Sequence, residues 1–180
     1  MRTTYLASLA LAILVGGLGG GCTLHAGQLA YTRMTDGRVG YSEALLGELD
    51  ADDGKKLEMF AVKYRFAPEW RKYVTEKAVH VNTLYRAAEF TKERGVRYFL
   101  LGRTPAGVLS ATTPYEPQKL DDDNTPYALY SDTLVVIPIA ARDEATPLLP
   151  KLPHRVVYDA DQVLATLAPF VLGKAATKRD

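Results

Sequence analysis

Hydrophobic and polar positions change their period several times along the 180 residues, and each change marks an element. Arg38–Leu46 reads as a strand, and Leu49-Asp50-Ala51-Asp52-Asp53-Gly54 after it is polar and ends in Asp-Gly, a hairpin connection. Lys56–Phe66 carries the clearest alternation: Phe60, Val62, Tyr64 and Phe66 are apolar while Lys63 and Arg65 point the other way. Leu57, Met59 and Ala61 make its second face partly apolar as well. From Thr75 to Arg94 the step lengthens to three and four residues, through Ala78, Val81, Tyr85 and Ala88 with Leu84 beside them, which predicts a helix with one apolar stripe. Lys92 and Arg94 suit the negative end of its dipole and Gly95 supplies the stop, while Pro68 suits the first turn of a helix that starts earlier.

Val96–Leu101 then reads as a buried strand and Tyr130–Ala140 as a fourth, with Pro138 placing its far end at an edge or bulge. Residues 103–127 between them are rich in Pro, Thr, Gly and Asp and show no period, as a mobile loop or variable insert would. Pro147, Pro150 and Pro153 make a stiff connector. Val156–Tyr158 allows a short strand, and Asp159 with Gln162 forms a capping-box pattern ahead of Val163, Leu164 and Leu167. Pro169 predicts a kink or stop near Ala168. This order predicts an α+β fold: a mostly antiparallel sheet of about four strands, one long helix packed on a face, and a short C-terminal helix.

The first 21 residues have a different grammar. Arg2 makes a short positive region, and Leu6–Leu18 is an uncharged apolar run of 13 residues. At ~1.5 Å per residue such a run is too short to cross a hydrocarbon layer about 30 Å thick. Gly19, Gly20 and Gly21 cannot hold a helix cheaply, so a protease meets extended chain just before Cys22. Cys22 is the only cysteine, so no intramolecular disulfide explains it. Leu18-Gly19-Gly20-Gly21-Cys22 resembles a lipobox, with Gly19 where an aliphatic residue is usual. The resemblance implies cleavage before Cys22, acylation of its sulfur and an anchor of two or three chains, enough for stable attachment. Thr23 in second place resembles the sorting pattern that sends Gram-negative lipoproteins to the outer membrane. The alternative is an ordinary cleaved signal, cut after Ala26 or Ala30.

The expected organisation is therefore a signal peptide at 1–21, a lipidated tether at 22–37, one α+β domain at 38–172 and a frayed tail at 173–180. Removing the signal takes away Arg2 as its only charged side chain and leaves a formally neutral chain. Neutrality argues against nucleic acid, which wants a basic stripe, and against electrostatic membrane binding.

Gly40-Tyr41-Ser42-Glu43, Phe60-Ala61-Val62-Lys63-Tyr64, Leu84-Tyr85-Arg86-Ala87-Ala88-Glu89-Phe90-Thr91 with Gly95, and Tyr158-Asp159-Ala160 with Val163-Leu164 resemble, in that order, a group of small proteobacterial lipoproteins. That group has no assigned biochemical function, so the resemblance implies architecture and address only.

Candidate chemistry is sparse. Glu76 and His80, four apart, can share a helix face as two metal ligands would, but no third ligand is signalled and surface side chains are the simpler reading. His25 and His154 have no partner at informative spacing. Ser42 follows Gly40-Tyr41, yet Ala44 stands where a nucleophile elbow needs glycine. Asp121-Asp122-Asp123-Asn124 with Asp132 faintly resembles a calcium loop, but Pro126 takes the place of the glycine at its sharp turn and the bidentate glutamate is missing. Arg86 and Glu89, three apart, read as a surface ion pair or contact surface. Tyr41, Tyr64, Tyr73, Tyr85 and Tyr98 read as packing around the sheet, with a recognition face for a protein or glycan as the functional alternative.

These readings call for no cofactor and no metal. They lead to the expectation of a non-enzymatic lipoprotein, joined to membrane lipid through acylated Cys22 at the periplasmic face of the outer membrane, that binds an envelope protein or glycan or plays a structural part there. The rivals are a periplasmic hydrolase that gathers Ser42, Glu43, His80 or Asp159 in one pocket, and a small-molecule carrier with an apolar cavity beneath 103–127.

Overall fold

A computed structural model describes residues 33–34, 39–50, 54–67, 74–110, 113, 115, 131–142 and 156–172. The signal, Cys22, the tail, His25, His154, Tyr73, the three-proline connector and Asp121–Asn124 lie outside the described residues.

The alternation along β2 (Lys56–Arg65) becomes a two-faced strand. It pairs antiparallel with β1 (Gly40–Asp50), which runs on through Leu49 and Asp50 to meet Leu57 and Lys56, so the hairpin is longer than the polar run Leu49–Gly54 implies. A register shift between Leu45 and Gly47 bends the outer strand. Arg33 makes a parallel bridge to Tyr41, and the Met34 amide donates to the Tyr41 carbonyl at 2.8 Å, so the described end of the expected tether lies along β1.

β2 leads into α1 (Glu76–Glu93), then β3 (Tyr98–Gly102), α2 (Pro105–Ser110), β4 (Ser131–Ile139), β5 (Tyr158–Asp159) and α3 (Ala160–Val171). The strands form one antiparallel sheet in the order β1-β2-β4-β3-β5. The α+β architecture is as expected, with five strands rather than about four, because Tyr158 and Asp159 pair with Phe99 and Tyr98. β4 lies in the sheet interior, but its pairing with β2 ends at Phe60↔Val136, and Pro138 has β3 alone beside it. The missing N–H therefore costs no bond to β2.

The main core lies on the sheet face covered by α1 and α3. Phe60, Val62 and Tyr64 of β2, with Phe66 just past its end, join Phe99, Leu101, Leu134 and Val136 there, and Phe60 meets Phe90 of α1 edge to face at 4.8 Å. The opposite face carries a second, smaller cluster, where Val108 of α2 packs with Met59, Leu100, Val135 and Ile137, with Leu49 and Leu57 beside them.

The ends of α1 follow their chemistry. Thr75 caps it by accepting from the Ala78 amide at 3.2 Å, so it begins at Glu76. At the other end Gly95, with φ +77°, donates to the Lys92 carbonyl at 2.9 Å, and the Val96 amide reaches the Thr91 carbonyl at 3.3 Å. That pair of bonds is a Schellman stop, which wants a residue without Cβ.

Two expectations fail here. The stretch after β3 is not patternless throughout, since Pro105–Ser110 is helical with the Thr104 hydroxyl accepting from the Gly107 amide at 3.0 Å. A six-residue helix is too short to show a period in sequence. Of the kink or stop expected at Pro169, the stop does not occur, since α3 continues to Val171 with the Leu172 amide bonded to the Ala168 carbonyl at 2.9 Å. Val171 is buried in the main core, which offsets the bond that Pro169 cannot make.

Candidate functional site

Sandwiched between the sheet and α3, α1 is buried around nearly its whole circumference from Ala78 to Ala88. Its polar residues must therefore find partners inside the protein. Asn82 donates to the Ala78 carbonyl, Thr83 to Val79 and Thr91 to Ala87, all at 2.8–2.9 Å. The two remaining polar side chains of that stretch, Arg86 and His80, each organise a cluster.

Arg86 is 1% exposed, which corrects its reading as half of a surface ion pair. Its Nε donates to Glu43 of β1, its Nη1 to Glu89 at 3.2 Å, and Nη1 and Nη2 both to Glu93 at 2.7 Å. The Tyr41 ring lies under the guanidinium, 4.3 Å from its carbon, and Arg33 closes on Glu43 at 3.1 Å from outside. Burial works against the charge on Arg86, but the bonds from Glu93 and Glu43 outweigh it and hold its pKa above the ordinary arginine value. The same contact holds the Glu93 carboxyl below its ordinary range, against the effect of its partial burial. Glu43 is the deeply buried partner, with a side chain 6% exposed against 29% for Glu89 and 56% for Glu93. The pair thus fastens α1 to the edge strand of the sheet.

His80 is fully buried, which corrects its reading as a surface side chain, while Glu76 is exposed as that reading expected. Its Nδ1 meets Asp132 Oδ2 of β4 at 2.6 Å. Its Nε2 faces Glu76 Oε1 at 2.9 Å and Arg103 Nη2 at 3.2 Å. A carboxylate only accepts and a guanidinium only donates, so Nε2 serves Glu76 when it carries a proton and Arg103 when it does not. Glu76 and Asp132 approach opposite edges of the ring and cannot converge on one ion. Among the described residues no group of three acidic, histidine or cysteine side chains is placed to hold a metal. Asp132, read above with the acidic turn, is instead a buried strand residue whose second oxygen accepts from Arg103 at 3.3 Å.

Arg103 carries this cluster to the surface. It is half exposed, lies 5.3 Å from the Tyr115 ring and reaches the Tyr115 hydroxyl at 3.5 Å. Two cavities meet at Tyr115 and Tyr158, whose hydroxyl accepts from the Tyr115 amide. One, of about 220 Å³, is lined by Leu101, Gly102, Arg103, Gly107, Thr113 and Leu134 with the two tyrosines. The other, of about 200 Å³, runs between β5, Leu84 and α3 past Gln162, Val163 and Thr166. Tyr158 stacks on Phe99 at 5.2 Å, which fixes the wall between them. Gly102 sets the floor: a Cβ there would stand 2.2 Å from the Val108 amide nitrogen, so only glycine lets α2 close on β3.

The other candidates are scattered. Ser42 pairs with Lys63 and Glu43 with Val62, so their side chains leave opposite faces of the sheet. Asp159 caps α3 by accepting from the Asp161 amide and binds Arg97 at 2.7 Å. That Arg97 bond outweighs the opposing effect of slight burial and lowers the Asp159 pKa below its ordinary value of 3.8. Ser42, Glu43, His80 and Asp159 therefore occupy separate surroundings. Tyr64 and Tyr85 are core residues, Tyr41 lies under Arg86, and Tyr98 packs on the second face, so these four do not make one recognition face. Of the tyrosines at the cavities, Tyr158 stood in the sequence as part of a short strand and of a motif but not as a site residue, and Tyr115 was not singled out.

No protein-family model, curated protein or solved structure matches the chain.

Proposed function

We propose that the chain is a lipid-anchored, non-enzymatic binding lipoprotein of the periplasmic face of the outer membrane. Its address rests on the sequence, with the apolar run Leu6–Leu18, the three glycines and the lone Cys22 as its elements. No helix among the described residues is long and apolar enough to cross a membrane, so the anchor in this reading is Cys22. Two of the motifs quoted for the resemblance meet in the fold, where Tyr41 and Glu43 of the first hold Arg86 of the third.

The observation that carries the binding reading is the pair of cavities sharing Tyr115 and Tyr158. One of them lies beneath the described part of residues 103–127, where the carrier reading needs it. The hydrolase reading loses its site because Ser42 and Glu43 leave opposite faces of the sheet and His80 bonds acidic and basic groups elsewhere.

In-cell photo-crosslinking tests the proposal. A photoreactive residue at position 113, beside the cavity, is compared with one at Ala44, exposed on β1. The expected result is a discrete adduct with one envelope component from position 113 alone. The same adducts from both positions, or none from either, contradict it.

A further inference from the structure

We infer that the cavity of about 220 Å³ beside Arg103 takes a small carboxylate mounted on a compact apolar body. This rests on the binding reading above and gives it a ligand class. At about 30 Å³ per water the cavity holds roughly seven waters, less than the ~300 Å³ of an ordinary drug-sized site, so the ligand is small.

Its apolar wall is Leu101, Leu134 and the faces of Tyr115 and Tyr158. Arg103 is the one charged side chain among the described residues that line it. A half-exposed guanidinium at the rim of an apolar cavity matches a ligand with an acidic head and an apolar tail.

The counter-charges nearby leave Arg103 able to act. Asp132 stands behind it, 3% exposed, and gives one oxygen to His80 at 2.6 Å and only the other to Arg103, at 3.3 Å. Glu76 bonds the outer nitrogen of His80. The contacts of Arg103, at 3.2, 3.3 and 3.5 Å, all exceed the ~2.7–2.9 Å of a good charge-assisted bond. An incoming carboxylate can take two parallel N–H groups at better distance. The site is thus poised by Asp132 and His80 and completed by the acid.

The test is a titration of the isotopically labelled full chain, purified in a neutral detergent, with benzoate and with benzamide at pH 7. The readout is the amide signals of Gly102, Arg103 and Gly107. Benzoate is expected to bind at least tenfold tighter than benzamide, and Arg103→Met to reduce benzoate to the benzamide level. Equal binding of the two probes keeps the cavity as a binding site and overturns its selectivity for acids. No shift at these signals from either probe overturns the ligand class and the cavity reading together. Should Arg103→Met not fold, the comparison of the two probes on the native chain still decides.

Discussion

The Arg86 guanidinium of α1 and the Glu43 carboxylate of β1 form an ion pair across 43 residues of sequence, with side chains 2% and 6% exposed. A buried pair of this kind contributes little over a well-packed apolar pair, but removing one member strands the other. Arg86→Met is expected to cost about 3–5 kcal/mol, because among the described residues Glu43 then keeps only Arg33, at the surface. Glu43→Gln should cost less, since Glu93 and Glu89 still hold Arg86. Urea denaturation of both variants checks the order, and equal costs would argue against Glu43 as the stranded charge.

Gly102 faces the backbone of α2, and a methyl group there has nowhere to go. Gly102→Ala is expected to destabilise by at least the ~1–3 kcal/mol typical of overpacking, and to shift the Val108 and Leu109 signals as α2 lifts. A thermal midpoint unchanged from the native chain would contradict the close approach.

Asp159 links stability to pH through Arg97. Its folded pKa is lowered below the ordinary 3.8, so it contributes stability that is present above that value and lost as pH falls through the folded one. Asp159→Asn keeps a good helix cap while removing the charge. The variant is expected to lose stability less steeply below about pH 4 than the native chain. Glu93, also lowered, keeps part of the slope. Superimposable profiles from pH 6 to pH 2 would contradict the assignment.

Where a residue's neighbours lie close in sequence, its role is legible. The alternation Phe60, Val62, Tyr64 reports the covered face of β2, Gly95 reports the stop of α1, and Asp159 with Gln162 reports the start of α3. Where the partner is distant, polarity misleads. His80 and Arg86 read as solvent-facing because the elements that bury them, β1, β4 and α3, lie 40 to 90 residues away along the chain. A signal was present all the same: from Ala78 to Ala88 the helix has a single Arg and no Lys, Asp or Glu, which is too few charges for a solvated face. The sequence offered a cavity beneath 103–127 only as an alternative and named none of its lining, since Leu101, Arg103, Tyr115, Leu134 and Tyr158 come from four separate segments.

The claim on which the rest depends is the chemistry of one sulfur atom. Intact mass measurement of the chain purified from membranes tests it directly. The account predicts a polypeptide that begins at Cys22 and carries the added mass of two or three acyl chains. A chain that begins downstream of Cys22, or one whose Cys22 is unmodified, would contradict it.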